Sequence, residues 1–280
     1  MSNLYTEYRQ AVKELNSAGC DGEFDARTLV EYCLGFNKTQ MLLNSQAQLD
    51  EIKLSFFRDC LKRRCNHEPL QYIIGTWGFY KYSFKVKPGV LIPRPETELL
   101  VEYAVNNMPK TYNGIIVDLC CGSGCIGISL AKRFPMCKVF CIDISDNALL
   151  LTKENADALE AFNVTVLKSD VFSGFSSAGI PQPDVILTNP PYIPTAELEG
   201  LQEEVHYEPS LALDGGKDGL DFYRAISEKW FPYIDKNGFL ALECGENQAE
   251  DIKKMFAKNA SFVRFIKDAG SCDRAVVLNR

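Results

Sequence analysis

Asn189-Pro-Pro-Tyr192 closes the apolar run Asp184-Val-Ile-Leu-Thr188, and its residue types suit chemistry at a planar nitrogen. Proline fixes φ and carries no N–H, so two in a row stiffen the backbone and leave nearby carbonyls free to accept from a ligand. The Asn189 side-chain oxygen and the Pro190 carbonyl can each take one hydrogen of an NH₂ group, and Tyr192 offers a flat face for a planar amide or base. A trigonal nitrogen delocalises its lone pair and is a weak nucleophile. Acceptors on both hydrogens return density to it and aim it at an electrophilic carbon, so orientation supplies most of the rate. Only a group with two N–H bonds uses both acceptors, which points to an amide or exocyclic amine. The competing reading is a plain Asn-Pro turn after a strand. No residue reads as an obvious general base.

A second segment, Asp118-Leu-Cys-Cys-Gly-Ser-Gly-Cys-Ile-Gly127, follows another apolar run and precedes a helical stretch, Ile128 to Phe134. Gly122, Gly124 and Gly127 fit the G-x-G-x-x-G spacing, in which glycines let the chain turn sharply and approach a ligand closely. Asp143 ends the next apolar run, where a carboxylate can accept both hydroxyls of a ribose. The glycines alone suit NAD and S-adenosylmethionine about equally. Asp118 just ahead of the loop tips the balance, because an acid tolerates a sulfonium and an amino group better than phosphates. Asp170, in Lys168-Ser-Asp-Val171, can accept from an adenine amine with Val171 beside the ring, or can simply cap its loop. Asp118, Asp143, Asp170 and Asn189 each fall at the end of an apolar run, where open α/β sheets bind ligands.

The elements that must position these groups follow from periodicity. Apolar runs at 115–119, 138–142, 164–167, 184–188 and 239–242 alternate with helix-compatible stretches, which predicts a mainly parallel sheet covered on both faces. Phe262 to Ile266 and Ala275 to Leu278 are joined too closely for a crossover, so they form an antiparallel hairpin with a reversed edge strand. The expected class is therefore α/β, with a Rossmann-like sheet and a small helical N-terminal domain. In residues 3–66, Leu4, Ala11, Val12 and Leu15 share a helical face, and Asp25 caps a helix from Ala26 to Phe36. Glu51 to Cys65 gives a third helix, with Ile52, Leu54, Phe56, Phe57 and Leu61 apolar. Tyr72-Ile-Ile-Gly75 and Tyr80 to Val86 read as a hairpin-like connector, and a helix opens near Glu96 and Glu98. The boundaries drawn are 1–68 for the helical domain, 69–92 for a hairpin linker and 93–280 for the catalytic domain.

Bulk properties narrow the class further. The 280 residues are 46% hydrophobic and 24% charged, as in ordinary globular proteins with a full core. A net charge of −7 argues against long nucleic acid as the main partner, since phosphate binding calls for a basic face. The 11 cysteines are odd in number and include no Cys-x-x-Cys, and His67 and His206 are the only histidines, so neither a disulfide framework nor a zinc site is expected. The start, MSNLYTEYRQ, lacks the apolar stretch of a signal peptide, and no window approaches the roughly 18 apolar residues of a membrane span. A cytoplasmic protein with reduced thiols is expected.

With both segments in hand, the chain resembles the bacterial release factor glutamine methyltransferases over nearly its whole length. The resemblance runs through Glu68-Pro-Leu-Gln-Tyr-Ile-Ile-Gly75, Val90-Leu-Ile-Pro-Arg-Pro-Glu-Thr-Glu98, the glycine loop, Asn189-Pro-Pro-Tyr192, Tyr207-Glu-Pro209, Gly215-Gly-Lys-Asp-Gly-Leu220 and the closing Asp268-Ala-Gly270 with Asp273-Arg274. Asn-Pro-Pro-Tyr alone is shared with adenine and guanine methyltransferases, which leaves methylation of a nucleic-acid exocyclic amine as the alternative. The resemblance implies that Cys120, Cys121, Gly122, Ser123, Gly124 and Asp143 hold S-adenosylmethionine, with Val171 near the adenine. It implies that Asn189, Pro190, Pro191 and Tyr192 hold the glutamine of a Gly-Gly-Gln tripeptide for methylation at N5, and that the helical domain helps grip the release factor. A monomer without direct nucleic-acid or membrane binding is expected. Cys120-Cys121 stands where relatives commonly show Gly-Thr, Gly127 where they show alanine, and Val171 where tryptophan is frequent.

Overall fold

The computed structural model describes residues 3–280 and divides into two compact units, one of residues up to Thr76 together with Gln202–Tyr207, the other of Trp77–Leu201 and Glu208–Arg280. The first unit is helical: α1 (Leu4–Ser17), α2 (Gly22–Leu29), α3 (Lys38–Leu43), α4 (Glu51–Cys65) and α5 (Leu70–Ile74). Leu4, Ala11, Val12 and Leu15 are buried, as their spacing predicts. The cap of α2 is Asp21, whose side chain accepts from Phe24 N, and not Asp25. Asp25 lies inside the helix and is buried against Arg64 Nε at 2.6 Å, so an acid that reads as a cap serves an ion pair instead. Only part of the apolar set in α4 joins the core: Phe57 and Leu61 are buried, but Ile52 is 81% exposed. Residues 70–74 form a helical turn rather than a strand, between Pro69 at its N-cap and left-handed Gly75 (φ 78°) at its C-cap. Short apolar runs do not distinguish the two structures by periodicity.

The inserted residues 202–207 complete this unit. Glu204 Oε2 lies 2.8 Å from Arg64 Nη1, Glu203 Oε2 lies 2.9 Å from His67 Nε2, and the Tyr207 hydroxyl donates to Asn66 O at 2.7 Å. Arg64 is thus buried between two carboxylates.

The second unit takes up the chain at Trp77, within the first strand of the hairpin β1 (Thr76–Phe79) and β2 (Tyr82–Lys85), followed by α6 (Glu98–Asn107). It continues as β3 (Ile115–Leu119), α7 (Cys125–Arg133), β4 (Lys138–Asp143), α8 (Asp146–Ala158), β5 (Val164–Lys168), α9 (Phe175–Ala178) and β6 (Val185–Thr188). It ends with α10 (Asp221–Lys229), β7 (Phe239–Glu243), α11 (Ala249–Phe256), β8 (Phe262–Lys267) and β9 (Asp273–Asn279). The seven-stranded sheet has the order β5-β4-β3-β6-β7-β9-β8. Strands β3 to β7 are parallel, and β9 is antiparallel to both β7 and β8.

The reversed strand is therefore not the edge, as expected from the sequence, but sits one place inside it. Burial explains the order: Ala275–Leu278 of β9 is wholly buried, whereas β8 exposes Phe262, Arg264 and Lys267. The apolar strand takes the interior position and the charged one blunts the edge. Helices pack on both faces, with Leu100, Leu130 and Phe134 in the core on one side and Tyr223, Trp230 and Ile252 in that on the other.

Register fixes the working edge. The pairs Leu119↔Ile142, Leu119↔Thr188 and Thr188↔Leu242 bring Cys120, Asp143, Asn189 and Glu243 to one level at the carboxyl ends of four adjacent strands. The order reverses between β3 and β6, which makes this edge the ligand-binding crevice of an open α/β sheet.

Candidate active site

A cavity of about 340 Å³ opens at that edge, within the roughly 300–1,000 Å³ of small-molecule sites. One wall is the loop after β3. Gly122 and Gly124 have φ of 55° and 77°, in the left-handed region, and α7 starts at Cys125, inside the glycine fingerprint and ahead of the predicted onset. Cys120 also has positive φ, 60°, which explains why glycine suits the corresponding position in the resembling family. Gly127 serves packing: a Cβ there would stand 2.5 Å from Cys141 Sγ.

Asp118 is wholly buried beneath this loop. Its Oδ2 accepts from Gly127 N at 2.8 Å, and its Oδ1 has no hydrogen-bond partner among the described residues. Burial pushes its carboxyl up to about 7, against the lowering effect of the Gly127 bond. Asp143 accepts from Gly122 N and Ser145 N, both at 2.9 Å, so its carboxylate is held rigidly on the cavity wall.

On the next wall, Asp170 Oδ1 accepts from Phe172 N at 2.9 Å, so this acid caps its loop while also facing the cavity. Trp230 Nε1 donates to Val171 O at 2.9 Å and fixes the adjoining residue. Phe172 and Phe222, with ring centroids 4.9 Å apart, add an aromatic flank that the sequence reading missed. Leu91 and Ile92 cover the cavity. Glu208, buried, accepts from Ile92 N at 2.9 Å and pairs with Arg94, which gives structural roles to two residues of the resembling motifs.

Asn189 stands on the wall at the end of β6, and Pro191 beside it. Its Nδ2 donates to Thr97 Oγ1 at 3.2 Å, and Thr97 donates to Glu243 Oε2 at 2.6 Å. The Tyr192 hydroxyl donates to Glu243 Oε1 at 3.5 Å. Burial pushes Glu243 up to about 7, against the lowering effect of the Thr97 bond. Of the residues proposed from sequence, Cys120, Cys121, Gly122, Ser123, Asp143, Asp170, Val171, Asn189 and Pro191 line the cavity. Asp118, Gly124, Pro190 and Tyr192 support it from outside the wall. Neither Thr97 nor Glu243 carries a signal in isolation, though Thr97 lies within the Val90–Glu98 motif.

The donor set decides between the two cofactor types. Arg94 is the one basic residue among the described lining residues, and Glu208 neutralises it. Asp143 and Asp170 present carboxylates. A pyrophosphate would meet two acids and no free cation, whereas a ligand carrying a sulfonium, an amine, a ribose and an adenine finds acids and an apolar slot.

Fold and site define an S-adenosylmethionine-dependent methyltransferase. Residues 95–204 match the methyltransferase small domain and residues 8–75 the PrmC N-terminal domain. The chain belongs to the release factor glutamine methyltransferase family. It is 39% identical to the release factor glutamine methyltransferase of Geobacter sulfurreducens over 91% of this chain and 89% of that one. The enzyme of the same name from Aquifex aeolicus is 36% identical over 100% and 99%. Among solved structures, the hMettl16 catalytic domain in complex with MAT2A 3'UTR hairpin 6 has a TM-score of 0.57 at 13% identity, covering 83% of this chain and 84% of that one. A methyltransferase from Pyrococcus furiosus has a TM-score of 0.51 at 18% identity, covering 70% and 87%. These two likenesses bear on the fold alone. No helix among the described residues is long and apolar enough to cross a membrane.

Proposed function

We propose that this chain methylates N5 of the glutamine in the Gly-Gly-Gln tripeptide of peptide chain release factors. The observation that carries the reading is the placement of Asn189, at the end of β6, on the wall of the cavity that Asp143 and Asp170 also line. The relatives' names supply the protein class of the substrate. When bound, S-adenosylmethionine supplies an electrophilic methyl group. Asp143 accepts from the ribose hydroxyls, Asp170 from the adenine amine beside Val171, and residues 120–124 approach through their backbone. Asp118 holds the loop from below through Gly127.

Asn189 Oδ1 and the Pro190 carbonyl accept the two hydrogens of the glutamine amide, and Pro191 and Tyr192 shape the slot for its plane. Gripping both hydrogens raises density on nitrogen and fixes its direction of approach, which lowers the barrier through orientation and preorganised dipoles. The proton released after transfer passes to water. The helical unit recognises the release factor, and the protein acts as a cytoplasmic monomer without contacting nucleic acid directly.

The test is methyl transfer from labelled S-adenosylmethionine to a purified release factor. Label should appear on the Gly-Gly-Gln glutamine and vanish when that glutamine is replaced. Label that persists after the replacement would refute the assignment, and labelling of bulk rRNA or DNA instead would favour an exocyclic amine.

A further inference from the structure

We propose that Thr97 and Glu243 are positioning residues that fix the amide of Asn189 in one of its two flips, keeping its oxygen turned toward the substrate. The inference rests on the role proposed above for Asn189 and adds what enforces it.

An asparagine amide is nearly symmetric in shape, so packing alone discriminates poorly between its two flips. Only one of them presents an acceptor to an incoming NH₂ group; the other presents two donors. A hydrogen-bond chain of fixed polarity breaks the degeneracy. An ionised carboxylate is acceptor-only, and a threonine hydroxyl has a single hydrogen. Glu243 Oε2, at 2.6 Å, takes the Thr97 hydrogen. The Thr97 oxygen can then only accept from Asn189, so the group facing it at 3.2 Å must be Nδ2. A flipped amide would set Oδ1 against that oxygen with no hydrogen between them.

Glu243 is itself held in place. The Tyr223 hydroxyl of α10 donates to its backbone carbonyl at 2.9 Å, and the Tyr192 hydroxyl approaches Oε1. Charged and titratable groups reach it from every side: Arg274 from β9, Glu96 beside Thr97, Tyr192 from the loop after β6, and Cys125 of α7. Among the described residues, Arg274 is the cation that acts on it. Arg274 Nε also donates to Asp268 Oδ2 at 3.1 Å, and Nη1 to Cys244 O at 3.4 Å, so that charge is fixed near the buried end of the chain. Protonating Glu243 would let it donate to Thr97 and reverse the chain's polarity. The working polarity therefore belongs to the ionised form, and burial pushes this carboxyl up to about 7.

Thr97→Val keeps the shape and removes the hydroxyl, while Thr97→Ser keeps the hydroxyl. For Thr97→Val, kcat for the release factor should fall about 10- to 100-fold, the range expected when a buried polar group loses its partner. Calorimetric affinity for S-adenosylmethionine should stay within about twofold, and Thr97→Ser should recover kcat to within about threefold. The wild-type kcat should decline as pH drops below about 7, and that limb should be absent in Thr97→Val.

Side-chain amide NMR of asparagine-labelled protein reads the chain without turnover. One Asn189 Nδ2 hydrogen should exchange slowly in the wild type and in Thr97→Ser, and rapidly in Thr97→Val. Equal losses of kcat in the Val and Ser variants, or an Asn189 signal unmoved by Thr97→Val, would overturn the proposal. A wild type inactive on release factors would fail the substrate reading alone, with the amide signals still deciding this one.

Discussion

Replacing Gly219 by alanine should disable catalysis from a position that does not line the cofactor cavity. Gly219 has φ of 74°, and a Cβ there would stand 2.3 Å from the Tyr192 carbonyl oxygen and 2.7 Å from Gln248 Nε2. That nitrogen donates to Tyr192 O at 2.9 Å and to Gly219 O at 3.3 Å, so the clash falls on the brace of the Asn189–Tyr192 segment. Left-handed backbone costs a residue with a side chain about 1–2 kcal/mol. Overpacking adds roughly 1–3 kcal/mol, for a total of about 2–5 kcal/mol. Restoring ordinary contact requires the Tyr192 backbone to retreat by about 1 Å, a displacement that lowers rates about 100-fold where orientation dominates. The assay pairs methyl transfer to a release factor with urea unfolding and calorimetry against S-adenosylmethionine. Turnover should drop about 100-fold with cofactor affinity nearly unchanged, because Asp143, Asp170 and the glycine loop line the cavity away from the displaced segment. Gly179→Ala is the control: its φ is 66° but nothing lies within 4 Å of the new Cβ, so it should show the strain cost with normal kcat. A Gly219→Ala enzyme with wild-type kcat, or one no slower than the Gly179 variant, would refute the reasoning.

Asn189→Ala should keep S-adenosylmethionine affinity within a few-fold and lower kcat by at least about 100-fold, measured with the same transfer assay; wild-type turnover would contradict its role. Asp118 and Glu243 are raised from 3.8 and 4.5 to about 7, so between about 4 and 7 the folded state binds protons that the unfolded state has released. Their contribution to stability therefore falls as pH rises through that window, by up to about 4 kcal/mol for Asp118 if the whole shift is realised. Urea unfolding of cofactor-free protein should show the slope, and Asp118→Asn should flatten it. Gly127→Ala should destabilise by about 1–2 kcal/mol, because Cys141 Sγ occupies the space that the methyl group needs. Combined with Cys141→Ala it should recover part of that loss, a coupling of roughly 0.5–3 kcal/mol in a double-mutant cycle, and strict additivity would dispose of the packing argument.

Strands were legible because their physics is local. Each predicted apolar run from 115 to 278 became a strand of the main sheet: the inner runs are continuously apolar because they are buried on both faces, and the edge runs β5 and β8 are only half-buried. Asp143, Asp170 and Asn189 were legible for the same reason, as polar residues that end such runs. Other features depend on tertiary competition. Asp25 and Asp21 are equally good caps by type, and only the presence of Arg64 takes Asp25 away. Leu70–Ile74 is apolar enough for a strand but has no partner strand among the described residues, and it closes as a helical turn. The inner place of β9 depends on which strand of a hairpin is more apolar, and the loop connecting the two strands carries no trace of it. Thr97, in the turn ahead of α6, and Glu243, at the end of β7, are 146 residues apart and meet through the packing of that helix on the sheet, so their link to Asn189 is invisible before folding.

The six residues Gln202–Tyr207 make the helical unit discontinuous in sequence. A polypeptide ending at Thr76 would leave Arg64 with Asp25 but without Glu204, and would strip His67 and Asn66 of their acidic and hydroxyl partners. The unit therefore does not behave as a cassette. Transplanting it onto another methyltransferase would need two grafts, residues up to Thr76 and the segment from Gln202 that follows Asn189-Pro-Pro-Tyr192, and a lineage acquiring it by simple gene fusion would have gained only part of its ion-pair network.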